Sequence, residues 1–293
     1  MAFTAKTLKG LKMDVIRELN DFGEEDWLDS ALTDSATSIT VTDSAFKQYK
    51  IGTTIEIDEE LMRVTATATS TAVTVRRAVR GTTAVAHADN EMIRVSPKYM
   101  QPEIKTYINA ALESELQRDI VNDATTTTAA DTYMFDLPTG INADNLRSVF
   151  VRSSNTNATA RTEDKIVGWW VNRGQGTAGV DQIEFPYVLS PAGLYIKYVY
   201  RGNYTFLTDD TDSCDLPTNA SAHRLPVLFA CSNLLRVKDA HRLKRDRNAF
   251  PDGATPMTAR KNLADWYMDE FKRIRRQEHL APVRALPRLV RSN

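Results

Sequence analysis

The sequence predicts an α+β fold: a helical bundle core with two inserted antiparallel β-modules and an extended C-terminal tail. Three observations predict it. Apolar residues recur at three- and four-residue spacing in separate stretches, the mark of helices buried along one face. Between those stretches lie two regions where β-branched and aromatic residues alternate with polar ones, the mark of half-buried strands. Two prolines, Pro282 and Pro287, interrupt the last 14 residues and stop helix propagation there. The implied organisation is a helical core from 1–30, 97–124 and 218–279, a first β-module at 31–96, a second at 125–217, and an extended docking arm at 280–293.

Leu8, Leu11, Val15, Leu19 and Phe22 share one face of a helix expected over about 4–22, with Gly23 as its stop. An acidic segment, EEDWLDSAL, follows. The strands of the first module are expected in ITVT, TIEI, LMRVTATA, AVTVRR and EMIRV, as a small antiparallel sheet or barrel, with Asp58, Glu59 and Glu60 forming a hairpin turn. Ile104, Ile108, Leu112, Leu116 and Ile120 lie four apart after Pro102, which suits a first helical turn, so one helix should span the whole run. The second module should place strands in TYMFDLP, SVFVR, VGWWV, QIEFP and GLYIKYVYRG. Two helices close the chain, one over 225–247 and one from the Thr255-Pro256 cap to about 279, with Leu263, Tyr267, Phe271 and Ile274 on its apolar side.

At 293 residues, 42% apolar and 26% charged, the chain can bury one large or two modest cores, which excludes wholesale disorder. Neither a membrane span nor a secretory signal is expected, since no apolar run approaches 18 residues and the N-terminus lacks an apolar core segment. Cys214 and Cys231 are too few for a disulfide framework or a four-ligand zinc site, and read as reduced thiols. The acceptor-like strings at Asn157, Asn203 and Asn219 carry no meaning without a secretory route. Charge is unevenly spread: residues 223–293 hold 16 Lys/Arg against 7 Asp/Glu, and residues 1–222 hold 21 against 31. Opposed halves suggest contacts between copies, or with a polyanion, against the plain reading of a solvated basic helix face.

No catalytic constellation emerges. GQGTAG at 174–179 matches the dinucleotide fingerprint, but a strand rather than a helix follows it, so a hairpin tip is the better reading. The acidic string TDDTDSCD lacks the Gly and Glu of a calcium loop and reads as an acidic loop before a helix. His87, His223, His241 and His279 form no metal-binding pair, and neither a nucleophile elbow nor a Walker loop is present. The sequence thus points to no enzyme and no cofactor or metal.

The first β-region carries a recognisable pattern. Gly52, Ile55, Ile57, Asp58 and Glu60 form G-x-x-I-x-I-D-x-E, and Val75, Arg77, Gly81, Thr82, Ala84 and His87 form V-x-R-x-x-x-G-T-x-A-x-x-H. This stretch, about 37–96, resembles a module of tailed-bacteriophage virion proteins. With the helices and basic tail around it, the chain resembles the head-to-tail connectors, the adaptor rings beneath the portal. The resemblance implies a non-catalytic protein of the virion neck, a ring of 12 copies around the DNA channel, and binding to the portal protein and to downstream neck or tail proteins. Genomic DNA passing through would be touched only weakly and non-specifically. The docking arm would place Pro282, Val283, Leu286, Leu289 and Val290 on the portal or a neighbour. Arg242, Lys244, Arg245 and Arg247, with Lys272, Arg273, Arg275 and Arg276, form a basic contact patch, expected to meet where the turn joins the last two helices. Alternatives are another neck or tail structural protein, such as a stopper or tube component, and a non-specific DNA-binding protein.

Overall fold

A computed structural model describes residues 5–21, 24–42, 49–67, 71–129, 131–152, 163–189, 193–217, 219–246 and 257–278. The helical bundle core is overturned. Among the described residues, thirteen strands form three sheets, every pairing antiparallel, and only four α-helices accompany them. The physical reason is one of signal: strands of three to eleven residues each show few periods, whereas a helix of similar weight repeats its apolar face several times. The chain divides into two compact units, Met1–Leu112 with Thr205–His279, and a second beginning at Glu113 and running through Tyr204.

In the first unit, β1 (Glu24–Trp27), β2 (Ser38–Thr40), β3 (Thr54–Ile57), β4 (Glu60–Thr67), β5 (Ala72–Arg76) and β6 (Met92–Val95) pair in the order β1-β6-β3-β4-β5-β2. The sheet curls until its outer strands meet. Leu28 bridges Val41, and the Asp29 and Thr42 N–H groups donate to the Thr40 and Trp27 carbonyls, both at 3.0 Å. Alternation sends Ile39, Ile55, Ile57, Val64, Val73, Val75, Ile93 and Val95 into a closed apolar interior. The acidic segment around Glu24 therefore contains a strand that its charge concealed.

The outer face of β3 and β6 is buried as well, and it carries charge. Glu56 and Arg94 are register partners, 0% and 1% exposed. Arg94 Nη1 donates to Glu56 Oε2 at 2.5 Å and to the Tyr99 carbonyl; Nη2 reaches the Asp21 carboxylate at 3.0 Å. Asp21 follows α1 (Leu8–Glu18), while the other oxygen of Glu56 accepts the Gln101 N–H at 2.7 Å at the start of α2 (Gln101–Ala110). A barrel carboxylate thus caps a helix N-terminus whose own cap residue, Met100, has no oxygen to offer. Burial pushes the Glu56 carboxyl up, to about 7, against the pull of Arg94.

α1 begins at Thr7, whose hydroxyl accepts from Gly10 N–H, and buries Leu8, Leu11 and Val15 as their spacing predicts. The long helix expected through Ile120 stops early. α2 gives way to a π-turn at Ala111–Glu115, and β7 (Gln117–Thr127) follows. α3 (Ala220–Asp246) and α4 (Met257–Gln277) form an antiparallel hairpin, and α3 also packs against α1 and α2. Phe229 stacks on Phe271 at 5.4 Å and the Ser232 hydroxyl donates to the Ala264 carbonyl. Tyr267, Phe271 and Ile274 are buried as predicted, but Ala264 takes the place expected for Leu263, which is 42% exposed.

In the second unit, β7, β9 (Leu146–Arg152), β10 (Glu163–Ile166) and β13 (Tyr195–Asn203) pair as β10-β9-β13-β7; β8 (Met134–Asp136), β11 (Trp170–Asn172) and β12 (Gln182–Glu184) pair as β11-β12-β8. Val149, Val151, Ile196 and Tyr198 of one sheet share a cluster with Phe135, Val171 and Ile183 of the other, giving a two-layer packing.

Replacing Arg94 with Met should destabilise the first unit by about 3–5 kcal/mol, because it leaves two buried carboxylates without their counter-charge. Urea unfolding checks this, and a loss below about 1 kcal/mol would show that Arg94 is not the joint between barrel and helices.

Candidate functional site

The motif residues of the first β-region converge on one carboxylate. Glu60, 1% exposed, opens β4, and its side chain accepts from Arg77 Nε at 2.8 Å and Nη2 at 2.5 Å. It also accepts the backbone N–H groups of Ala78 and Val85 and lies 3.0 Å from His87 Nε2. The other imidazole nitrogen, Nδ1, is 3.0 Å from Asp58. Arg77 reaches further, donating to the carbonyls of Thr33, Ala36 and Val85. The Thr82 hydroxyl accepts the Leu61 N–H and donates to the Val79 carbonyl. Backbone bonds between Leu32 and His87 in both directions fix the far end of the loop. Arg77 to His87 is therefore strapped onto the β3–β4 hairpin by buried charge, with Gly81 at φ +82°, where a side chain would be strained.

These contacts set the protonation states. Burial favours neutral forms, but at His87 the hydrogen bonds to Asp58 and Glu60 outweigh it and raise the pKa above 6.5. Burial likewise opposes ionisation of Glu60, yet Arg77, the two N–H groups and His87 hold it below its ordinary value; Asp58 is lowered chiefly by His87. The turn expected at Asp58, Glu59 and Glu60 is a hairpin turn, and its carboxylates are engaged. Glu59 meets Lys12 at 3.0 Å and Lys105 at 2.8 Å, and Lys12, itself 1% exposed, also pairs with Asp210.

The acidic loop at 209–215 serves structure. Asp212 accepts the N–H groups of Thr208 and Asp209, and Asp215 accepts the Thr205 hydroxyl. Carbonyls of Asp212 and Asp210 receive the Leu8 and Lys9 N–H groups at the start of α1. Among the described residues no group of three or more His, Cys, Asp or Glu side chains is arranged to hold a metal ion. GQGTAG forms a hairpin between β11 and β12. Asp136 accepts the Thr177 N–H at 3.1 Å and lies 2.5 Å from where a Cβ on Gly176 would stand. Backbone N–H groups of this loop, those of Gly174 and Thr177, are taken by the chain's own carboxylates, Asp181 and Asp136, and a strand rather than a helix follows.

The predicted basic patch is divided. Arg242, Lys244 and Arg245 lie near the end of α3, and Arg247 falls outside the described residues. Lys272, Arg273, Arg275 and Arg276 end α4, but Asn219 bonds Glu278 and Phe229 meets Phe271, so these residues lie beside the first turns of α3. At 1.5 Å per residue the two clusters are about 30 Å apart along the hairpin. The expectation that they meet at the joining turn fails because antiparallel helices put their C-termini at opposite ends. Arg273 is paired with Glu270 and Gln277, and Arg275 lies 5.0 Å over the Phe271 ring. The cluster on α4 complements the carbonyl end of its own helix. Pro282, Val283, Leu286, Leu289 and Val290 lie outside the described residues, as do His279 and the Thr255-Pro256 cap. The surface of α4 adds what spacing did not foresee: Leu263 and Trp266, 42% and 49% exposed, stand one turn apart.

Compared with known proteins, the chain matches no family model, no curated protein and no solved structure. No helix among the described residues is long and apolar enough to cross a membrane.

Replacing His87 with Gln should destabilise the chain in a pH-dependent way. A raised folded-state pKa means that the stabilisation is fully present below pH 6.5 and is lost as pH rises through the folded value. The lowered Asp58 and Glu60 contribute above 3.8 and 4.5 and lose their contribution as pH falls through their folded values. The stability gap between wild type and H87Q is therefore widest near pH 5.5 and narrows toward pH 9, measured by urea unfolding at each pH. Taking the difference cancels the contribution of Glu56, whose raised folded-state value also makes stability fall as pH rises and which the substitution does not touch. A gap that widens with pH would show His87 to be held neutral.

Proposed function

We propose that the chain is a structural protein of a tailed-phage virion, a head–tail adaptor forming a ring beneath the portal around the DNA channel. The observation that carries this reading is the first β-region. Its Asp58, Glu60, Arg77, Thr82 and His87 are the polar residues of the virion-module pattern; Asp58, Glu60, Arg77 and His87 form one hydrogen-bonded network, and Thr82 ties the same loop to the backbone of Leu61 and Val79. The spacing of the pattern thus has a physical basis, and the resemblance spans an entire strand-and-loop unit. The helical bundle that first suggested an adaptor is no longer an argument, because that architecture was overturned.

In this reading the protein is not an enzyme and takes no cofactor. Its partners are other copies of itself, 12 by the family resemblance, the portal protein, downstream neck or tail proteins, and DNA in passage. It resides in the neck between capsid and tail. Surfaces suited to subunit contact are the exposed Leu263 and Trp266 of α4 and the basic C-terminal ends of α3 and α4, which suit acidic partners. The arm at 280–293 is the segment assigned to the portal.

Cryo-electron microscopy of the neck of the virion that encodes this chain, and of the chain mixed with its portal protein, should show a ring of this protein at the head–tail junction. Its absence from that junction sinks the reading. Deleting residues 280–293 should abolish portal docking, read by co-sedimentation, while leaving the far-UV circular dichroism spectrum nearly unchanged. Undiminished docking by the truncated chain would remove the arm from the proposal.

A further inference from the structure

Arg63 on β4 and Arg76 on β5 stand directly opposite each other in the antiparallel register, and both are exposed. Like charges in that position destabilise a sheet unless an opposite charge joins them. Arg80, exposed on the turn that follows β5, joins them in lining an open groove of about 550 Å³, with Gly52, Thr54 and Gly81 among its other walls. Gly52 sits at φ +91°, and a Cβ there would stand 3.6 Å from Arg63 Nη2, so the glycine leaves that guanidinium uncovered. Among the described residues none of the three arginines forms an ion pair with a carboxylate, and Arg80 leans one nitrogen on the Met100 sulfur at 3.3 Å. Their neighbours Arg77 and Arg94 are held by Glu60, Glu56 and Asp21. The same small barrel thus pairs Arg77 and Arg94 with carboxylates and leaves three exposed arginines lining one concavity.

We propose that this groove binds the phosphodiester backbone of nucleic acid without regard to sequence. Three guanidiniums supply up to fifteen N–H donors, more than a single carboxylate can accept, whereas a phosphate chain offers oxygens repeatedly along its length. The lining lacks the aromatic anchors from which protein interfaces draw most of their affinity. It also holds no Asn, Gln, Asp or Glu to read base edges, and its arginines, which could also meet guanine, are assigned to phosphate oxygens, contacts that carry no base information. The groove stands on its own geometry; only the choice of duplex DNA as the biological ligand rests on the neck reading.

The test uses the full chain, a fluorescein-labelled 30-base-pair duplex of mixed sequence, and anisotropy from low to moderate salt. Wild type should bind weakly, with affinity falling steeply as salt rises and little change on scrambling the duplex. The triple variant Arg63→Gln, Arg76→Gln, Arg80→Gln should bind at least tenfold more weakly, with the log–log salt slope reduced by about 2–3, near 0.9 for each lost phosphate contact. Thermal unfolding of the triple variant should match or exceed wild type, since a like-charge pair has been relieved. The comparison variant Arg17→Gln, Arg173→Gln, which removes two exposed arginines already paired with Asp14 and Asp144, should leave duplex binding unchanged. Equal binding by the triple variant, or no binding by wild type, overturns the proposal. Displacement of the duplex by a Glu-rich peptide at lower concentration than by unlabelled DNA overturns it in favour of an acidic protein partner. A ring in the neck with an inert groove would leave the adaptor reading intact, so the two failures can be told apart.

Discussion

The first unit depends on burying a positive charge where two kinds of structure meet. Arg94 is held by the barrel carboxylate Glu56, by Asp21 beyond the end of α1, and by the Tyr99 carbonyl just before α2. A guanidinium removed from water is tolerable only when its donors are satisfied, so the barrel wall, the exit of α1 and the entry of α2 must all be in place together. That requirement converts a β-barrel and a set of helices, each able to pack in many orientations by apolar contact alone, into one arrangement. The second carboxylate hub, Glu60, works on a smaller scale. It draws the loop from Arg77 to His87 across the β3–β4 hairpin, and the left-handed residues Ala78, Arg80 and Gly81 give that loop its tight turn.

The two hubs separate fold-determining charge from free charge. Asp58, Glu60, Arg77 and His87 are consumed by internal contacts, so the sequence pattern they form identifies a module and says little about what that module touches. The arginines that face solvent, Arg63, Arg76 and Arg80, lie between or beside pattern positions. A pattern of residues consumed inside the fold reports the scaffold, whereas contacts with other molecules fall to the intervening residues.

Much of the local structure was legible. Leu8, Leu11 and Val15 announce α1, and the Ile55, Ile57, Val73, Val75 alternation announces the barrel wall. The misreadings have specific causes. Ile104, Ile108, Leu112, Leu116 and Ile120 keep a four-residue period, but Leu116 is as buried at the foot of a strand as it would be on a helix, and pairing of 117–122 with 198–203 overrides the period beyond it. Glu24 to Trp27 looked like an acidic linker because three of its four residues are charged, yet its ladder to β6 depends only on the backbone. In the sequence Glu60 reads only as part of a hairpin turn because nothing local reveals a partner 17 or 27 residues away. The opposing arginines were hidden by the excess of acid in the first 222 residues; a sum of charge over a long segment erases a cluster formed by folding.

Closure of the six-stranded sheet through Leu28 and Val41 bears on where the first unit can be divided. β1, which seals the cylinder beside β6, lies upstream of the other five strands at Glu24–Trp27. A fragment beginning at residue 37 would hold five strands and an open seam, exposing unpaired backbone on β6 and β2. One that keeps the sheet closed has to begin before residue 24. The folding unit is therefore larger than the run of Gly, Asp, Glu, Arg and His positions that marks it in the sequence.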